Sequence, residues 1–487
     1  MRARPPRRPR PPAPAPARAV GVWLTTGDQT RLLSREPDLA RTPAAPPGAA
    51  DSAAARIDVD PAARYQPVVG FGAAFTDASV QLIQRLPPAR RDSLLRALFG
   101  RADGGLGLSF MRVTMGASDF STRHYSYDDV PAGQTDPALA HFSVDADRAE
   151  RLPVIKAALR INPALTLVAS PWSPPAWMKT SGSLVTGTLR PEAYDAFARY
   201  FVRFVQAYAA EGVPIRAVTL QNEPHFEPKD YPGMRLEPPA RARVIAEHVG
   251  PAFAAAGLRT EVWDWDHNWD QPESPLAVLA DPAARRYVSA VAWHCYGGDV
   301  AAQGQVHDAY PDKAVYFTEC SGGGWVPGFA ATLLGQTSTL VVGATRHWAR
   351  GVALWNLALD EHDGPHLGGC GNCHGVVTID ARTGAVTPNA EYYVLAHASR
   401  FVRPGAVRVG TALAGAESPR APGGAATGDT AAAPPLAALA IRNADDGSTA
   451  LVVVNPAAAP RPVLVRAGGT DFRYAMPARA VATFVWR

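Results

Sequence analysis

The chain has 487 residues, of which 47% are hydrophobic and 19% are charged; it therefore has material for a large core and more length than one ordinary domain. Its formal net charge is +4, and five arginines fall within the first ten residues, so the body is close to neutral and a nucleic-acid-binding surface is excluded. No run of about 18 apolar residues occurs, so the sequence predicts no membrane span.

The first segment, residues 1–18, is rich in Arg, Pro and Ala. It lacks the apolar stretch of a signal peptide and is predicted to be a disordered leader. Without a visible signal peptide the sequence favours a cytoplasmic protein, and secretion stays open if the start is misassigned.

Residues 19–64 are predicted to hold the N-terminal strands of a β-sandwich and a linker. Residues 20–33 alternate like an antiparallel hairpin that turns at Gly27 and Asp28. A Pro/Ala-rich linker follows, and residues 55–60 have the pattern of another short strand.

Residues 65–402 show a different pattern, in which apolar runs of strand length alternate with amphipathic stretches of helix length. That alternation is typical of repeated βα units, and eight of them make a (β/α)8 TIM barrel in the α/β class. The eight runs are residues 68–75, 108–115, 165–172, 217–223, 261–267, 288–296, 314–320 and 351–359.

Residues 403–487 return to short alternating strands, interrupted by a low-complexity loop at residues 414–435. Such a loop is expected on the surface and is predicted to be disordered. Because these strands close a sheet more easily with the two N-terminal ones, we predict one side β-sandwich built from both chain termini. The five predicted strands are residues 407–412, 439–443, 449–454, 462–466 and 479–486.

Two carboxylates follow apolar runs that read as barrel strands: Glu223 in the fourth and Glu319 in the seventh. The carboxyl ends of barrel strands carry the active site. A glycosidase needs one carboxyl as acid/base and a second as nucleophile or base, so Glu223 is the candidate acid/base and Glu319 the candidate nucleophile. We expect the pKa of Glu223 to be raised by the nearby Glu319 anion.

Further polar and aromatic residues fall just beyond strand ends. Asp119 and Asn222 can bind sugar hydroxyls, while Trp172, Trp355 and Phe120 can pack against the apolar face of a sugar ring. For Trp177 and Trp325 the sequence leaves sugar binding and simple packing equally open.

Three residues are candidates for holding the carboxylates. Arg112 lies inside the second strand and is expected to keep a catalytic carboxylate ionised. Tyr296 is expected to donate to Glu319, and His294 to orient either carboxylate. Tyr296 and His294 are also candidates for binding substrate.

The four cysteines are too few for a disulfide scaffold. The spacing of Cys370 and Cys373 favours a local disulfide or two idle thiols, and a zinc site would need His366 or His374 as well. The histidines show no metal-ligand spacing and no strand is followed by a phosphate-binding loop, so we expect neither a metal nor a cofactor.

The chain resembles glycoside hydrolase family 30, which includes glucosylceramidases, β-1,6-glucanases and xylanases. The resemblance implies a barrel with a sandwich from both termini and a retaining mechanism. It also implies glycone contacts from Asp119, Trp172, Asn222 and Trp355, with Tyr296 beside the carboxylates. The motifs that carry it are residues 70–77, 111–121, 170–180, 221–224, 317–320 and 355–359.

Two departures from the glucosylceramidase pattern lie at the rim: His366 replaces Asn, and Cys295 replaces Trp. His366 is accordingly a candidate for binding substrate. The implied function is a glucosylceramidase-like retaining β-glycosidase acting on a β-glucoside, glycolipid or glucan. The alternatives are an endo-acting β-1,6-glucanase with the same centre and, less favoured, a non-catalytic carbohydrate-binding barrel. The oligomeric state is left open.

Overall fold

The computed structural model describes residues 19–44, 54–414 and 435–487. The predicted leader at residues 1–18, and the predicted low-complexity loop apart from its two end residues, lie outside the described residues. Within the described ranges no helix combines the length and the apolar character needed to cross a membrane.

Twenty-three strands occur in the part of the chain that the structure describes. They are β1 (Val20–Thr26), β2 (Ser34–Leu39), β3 (Thr42–Pro43), β4 (Ala55–Val68), β5 (Gly70–Phe75), β6 (Phe110–Met115), β7 (Thr166–Pro171), β8 (Ala217–Thr219), β9 (Glu261–Asn268), β10 (Val288–His294), β11 (Ala314–Glu319), β12 (Gly322–Gly323), β13 (Ala349–Asn356), β14 (Ala358–Leu359), β15 (Cys373–His374), β16 (Val377–Ile379), β17 (Val386–Pro388), β18 (Ala406–Ala414), β19 (Ala437–Arg442), β20 (Thr449–Asn455), β21 (Arg461–Ala467), β22 (Thr470–Met476) and β23 (Ala480–Trp486).

The helices mostly follow barrel strands. They are α1 (Asp77–Arg85), α2 (Pro88–Phe99), α3 (Asp145–Arg148), α4 (Arg151–Ile161), α5 (Tyr194–Ala210), α6 (Pro238–Arg243), α7 (Gly250–Ala255), α8 (Glu273–Ala280), α9 (Pro282–Arg285), α10 (Ala301–Ala309), α11 (Gly328–Gln336) and α12 (Ala390–Ser399), with π-helical turns at Val244–Val249 and Thr337–Ala344 and 3₁₀ turns at Ala102–Gly104, Ala176–Met178 and Pro191–Ala193.

Eight parallel strands close the predicted barrel in the order β10-β11-β13-β5-β6-β7-β8-β9. Its interior is filled by a layer of buried side chains that includes Phe110, Trp263 and Tyr316, and the rings of Trp263 and Tyr316 stack with centroids 3.8 Å apart. Side chains two residues further along a strand share the same face. Arg112 therefore lies one layer above Phe110, and Thr318 one layer above Tyr316, toward the carboxyl ends of the strands.

The predicted sandwich from both termini is confirmed. Ten strands pair in the order β2-β1-β23-β20-β19-β18-β4-β21-β22-β3, so both ends of the chain contribute. The ladder folds into two facing layers: Phe472 and Tyr474 of β22 contact Trp486 and Phe484 of β23, although these strands lie far apart in the ladder. One buried cluster fills the space between them.

Several predicted boundaries in the sandwich change. The second arm of the N-terminal hairpin is β2, so residues 27–33 form the turn. Strand β4 pairs with β18 as far as Val68, past the predicted domain boundary at residue 64. Strand β22 was not predicted; it pairs antiparallel with β21 along its whole length.

Candidate active site

The candidate catalytic residues lie at one end of the barrel. Glu319 and His294 are the last residues of the neighbouring strands β11 and β10 and are register partners. Asp119, Trp172 and Glu223 follow strands β6, β7 and β8. The carboxyl ends of the barrel strands thus bring the predicted residues together.

The sequence placed Glu223 at the end of the fourth strand, but in the structure it lies beyond that strand. Strand β8 ends at Thr219, and Glu223 adopts a positive φ of 46°, a conformation that non-glycine residues rarely adopt and that is found at functional sites. Backbone hydrogen bonds fix the segment: Asn222 N–H donates to Pro171 O at 2.8 Å, and Glu223 N–H donates to Asp266 O at 3.0 Å.

Glu319 is held by two donors. The buried guanidinium of Arg112 donates from Nη1 to Glu319 Oε2, and Tyr296 Oη donates to Oε1 at 3.0 Å. Burial raises the pKa of Glu319 and the charge of Glu223 raises it further, whereas His294 and Arg112 act in the opposite direction. Both contacts were expected from the sequence, but burial outweighs the two cations, so the pKa of Glu319 is raised overall.

Asp266 was not among the residues predicted from the sequence; it lies beneath the two carboxylates and contacts both Arg112 and His294. It is fully buried and accepts hydrogen bonds from Arg112 at 2.6 Å, Ser170 at 2.7 Å and Thr318 at 2.6 Å. Burial opposes its charge, but Arg112 and His294 outweigh burial and hold the pKa of Asp266 well below its usual range. A charged residue near the end of an apolar strand was the signal that could have revealed it.

His294 connects Asp266 with the candidate acid/base, Glu223. Its Nδ1 lies 3.0 Å from Glu223 Oε1 and 3.9 Å from Glu319 Oε1, and its Nε2 lies 3.0 Å from Asp266 Oδ1. Burial lowers the pKa of His294, but the surrounding carboxylates outweigh burial and raise it to about 9.

The expectation of a raised pKa for Glu223 is wrong for the ligand-free protein. Burial alone would raise the pKa, but the neighbouring imidazoles of His267 and His294 outweigh burial and lower it to about 2. Glu223 and His294 therefore share one proton, which rests on His294 in this arrangement.

Because Glu223 and Glu319 both contact His294 Nδ1, their Oε1 atoms are no further apart than the two contact distances combined. The two carboxyls therefore lie beside the same imidazole at the barrel mouth, close enough together to flank one glycosidic bond.

A cavity of about 500 Å³ opens above the carboxylates. Trp172 and Trp355 form part of its wall with stacked rings whose centroids are 4.9 Å apart. Asp119 faces the same cavity; its Oδ1 is buried without a hydrogen-bond partner. Burial and the nearby Glu319 raise the pKa of Asp119 to about 8.

Three predicted substrate-binding residues do not line this cavity. Phe120 is fully buried and packs edge-on against Trp355, His366 packs against Phe120, and His294 lies beneath Glu223. Phe120 and His294 are covered by Trp355 and Glu223, which do face the cavity, whereas His366 is partly exposed and packs behind Phe120. Trp177 also lies outside the cavity and donates to Asp128 Oδ2 at 3.0 Å.

The cavity includes residues that the sequence analysis did not single out for binding, or left open. Trp325 and Phe226 are half-exposed at its rim, and strands β12 and β15 pair beside it. Their contribution depends on loop packing, which no local sequence pattern signals. The remaining such residues are Asp230, Tyr231, His267, Asn268, Gly369, Cys370 and Cys373.

All four cysteines form disulfides. Cys295 pairs with Cys320, and Cys370 pairs with Cys373. The local disulfide favoured by the sequence is therefore present, and the zinc alternative loses its two thiolate ligands. The Cys370–Cys373 disulfide lies in the wall of the catalytic cavity.

Comparisons with known proteins agree with this geometry. Residues 68–402 match the glycosyl hydrolase family 30 TIM-barrel domain, and residues 405–484 match the beta sandwich domain of that family. An endo-1,6-beta-D-glucanase of Neurospora crassa is 38% identical over 419 residues, which cover 84% of this chain and 83% of that protein. Lysosomal acid glucosylceramidase of Mus musculus is 30% identical over 462 residues, covering 88% and 83%.

A solved structure, the endo-beta1,6-glucanase BT3312, superposes with a TM-score of 0.83 at 31% identity, covering 96% of this chain and 99% of that one. The two carboxylates at the barrel mouth, the matched barrel and the matched sandwich lead to one conclusion. The chain belongs to glycosyl hydrolase family 30.

Proposed function

We propose that this retaining β-glycosidase acts on β-1,6-linked glucan as an endo-glucanase. The observation that carries the proposal is the continuation of the catalytic cavity. Tyr296 and Trp325 also line a second cavity of about 970 Å³, so there is room beside the cleavage point for further sugar units. The names of the more similar relatives support the same substrate.

In the first step of the reaction Glu319 attacks the anomeric carbon and forms a covalent glycosyl-enzyme, while Glu223 protonates the leaving oxygen. The proton shared with His294 supplies this acid. Arg112 and Tyr296 hold Glu319 in place for the attack.

In the second step Glu223 acts as base toward water, which releases the sugar and restores Glu319. Asn222 can bind the sugar hydroxyl beside the reacting carbon. Its Oδ1 accepts from Arg112 Nη2 at 2.7 Å, so its amide N–H groups are left for the cavity.

A second candidate substrate is glucosylceramide, the substrate implied first by the sequence resemblance. The specific observation in its favour is the apolar part of the second cavity, where Val300, Val326 and Leu340 are among the lining residues. Such a surface can accept a hydrocarbon chain.

The test is product analysis on β-1,6-glucan and on glucosylceramide in detergent, with Glu319→Gln as the inactive reference. The proposal expects β-1,6-linked oligosaccharides of several lengths early in the reaction with the glucan. If glucose is released from the lipid and the glucan is not cleaved, the protein is a glucosylceramidase and not a glucanase. If the protein binds either substrate but hydrolyses neither, it is the non-catalytic carbohydrate-binding protein considered above.

We also propose that the protein is secreted. Two disulfides support an oxidising environment, because disulfides are rare in reducing cytosol. This favours the secreted alternative over the cytoplasmic expectation. Cell fractionation of the source organism with an antibody against the chain tests it, and recovery in the cytosolic fraction alone would refute it.

A further inference from the structure

Three side chains with metal-binding atoms meet at the wall of the catalytic cavity: Glu223, His267 and His294. Glu223 Oε1 lies 3.0 Å from His294 Nδ1 and 3.5 Å from His267 Nδ1, and all three atoms lie within 4.8 Å of one another. Two ligands bound to one tetrahedral zinc ion at about 2.0–2.1 Å are roughly 3.3 Å apart. The spacing therefore suits one ion with little movement, and the ion takes the place of the proton that His294 Nδ1 shares with Glu223.

The surroundings of the two histidines add to this geometry. His267 Nδ1 is buried and faces Glu223 Oε1 at 3.5 Å without a hydrogen bond of normal geometry, so the hydrogen-bond network does not fix its position. His294 contacts Asp266 Oδ1 through its other ring nitrogen at 3.0 Å. A carboxylate behind a histidine is the arrangement that orients metal-bound histidines in proteins.

The position of the triad gives such an ion an open coordination site. Glu223 and His267 line the catalytic cavity, so a fourth ligand can come from water or from a sugar hydroxyl. Three protein ligands with one open position are typical of accessible zinc sites.

We propose that Glu223, His267 and His294 form an inhibitory site for a divalent transition-metal ion such as Zn²⁺ or Cu²⁺. Two imidazoles and one carboxylate suit these ions, whereas Mg²⁺ and Ca²⁺ prefer oxygen ligands. The bound ion occupies the carboxylate that must carry the acid proton, so hydrolysis stops. This inhibition rests on the proposed function; binding of the ion does not.

The usual explanation for inhibition of an enzyme by such metals is reaction with a thiol. This chain has four cysteines, and all four are in disulfides. A thiol is therefore excluded as the target of these ions, which leaves the histidine–carboxylate triad.

The test is calorimetric titration of the full-length protein with ZnCl₂ in the absence of substrate. The expected result is one binding site, and His267→Asn should weaken it at least about tenfold, the scale of losing a supporting contact or more. Glu223→Gln should weaken it as well and guards against misfolding of the first variant. His362→Asn is the matched control, because His362 is a strongly exposed residue outside both cavities.

Inhibition is then measured for wild type, His267→Asn and His362→Asn, each relative to its own rate without metal. Zn²⁺ should compete with substrate, EDTA should reverse the effect, and Mg²⁺ should have none. Equal zinc affinity in wild type and His267→Asn would overturn the proposal. If no glycoside is hydrolysed at all, the proposed function fails while the titration still decides whether the site exists.

Discussion

The Cys295–Cys320 disulfide joins the residue that follows His294 to the residue that follows Glu319. His294 and Glu319 are themselves paired in register on the neighbouring parallel strands β10 and β11. The disulfide therefore fastens together the two strand ends that hold the nucleophile and the proton-sharing histidine.

We predict that the double variant Cys295→Ser/Cys320→Ser loses both stability and activity. Removing a native disulfide costs about 2–4 kcal/mol in the free energy of unfolding. Because Tyr296 follows Cys295 and Glu319 precedes Cys320, loosened strand ends should lower kcat by about tenfold or more; a 1 Å misplacement can cost roughly 100-fold. Denaturant unfolding and steady-state kinetics measure the two effects.

The variant Cys370→Ser/Cys373→Ser is the comparison for this prediction. Its disulfide spans a sequence separation of only 3, so it constrains the unfolded chain less. Because this disulfide lines the cavity, its loss should change KM more than kcat. An unchanged kcat in the Cys295→Ser/Cys320→Ser variant would contradict the proposed role of the first disulfide.

The barrel and the carboxylate pair could be predicted from sequence because their signals are local. Buried parallel strands are continuous apolar runs, and Glu319 follows such a run directly. Glu223 was identified for a partly wrong reason, because strand β8 ends four residues before it. Backbone hydrogen bonds from Asn222 and Glu223 to the neighbouring strands hold the segment in place instead.

What the sequence could not show depends on which distant residues meet. The pairing of Cys295 with Cys320 follows from the adjacency of β10 and β11, which is a property of the barrel. His267 was overlooked because a histidine near a strand end has no special spacing, and its proximity to Glu223 appears only when β8 and β9 pair.

We predict that the alkaline limb of the kcat/KM profile reflects His294. The pKa of His294 is raised to about 9, so the proton that it shares with Glu223 is present below that pH and is lost as the pH rises through about 9. Activity should therefore persist through neutral pH and fall near pH 9. Kinetics from pH 4 to pH 10 in overlapping buffers test this, and an alkaline limb near pH 6 would contradict it.

His294→Gln provides the control for that assignment. Glutamine keeps a polar group near Glu223 but cannot hold the proton, so the alkaline limb should move to lower pH and kcat should fall. If the variant keeps the limb of the wild type, another group supplies the acid proton. Thermal unfolding of the variant shows whether the barrel is intact.

We predict that Tyr296→Phe lowers kcat with little change in fold. The substitution removes the 3.0 Å hydrogen bond to Glu319 Oε1, and hydrogen bonds to charged groups contribute about 1.5–3 kcal/mol, which corresponds to roughly 10–100-fold in rate. Arg112 still holds the other oxygen. Burst kinetics with an activated aryl β-glucoside should show slower formation of the glycosyl-enzyme; an unchanged burst rate would mean that Tyr296 does not position the nucleophile.

We predict that Trp325→Ala separates polymer binding from catalysis. Trp325 is 51% exposed and stands where the catalytic cavity meets the larger one, so a sugar ring beyond the cleavage point can stack on its indole. Aromatic stacking contributes about 0.5–1.5 kcal/mol, and KM for β-1,6-glucan should rise several-fold while kcat on a small aryl β-glucoside stays the same.

Tyr65→Ala is the control for this prediction. Tyr65 is an exposed aromatic residue that lines neither cavity, so its replacement should leave both values unchanged. A Trp325→Ala enzyme with wild-type KM for the glucan but weakened activity on glucosylceramide would show that the indole contacts a lipid chain, and the larger cavity would then belong to the second candidate substrate.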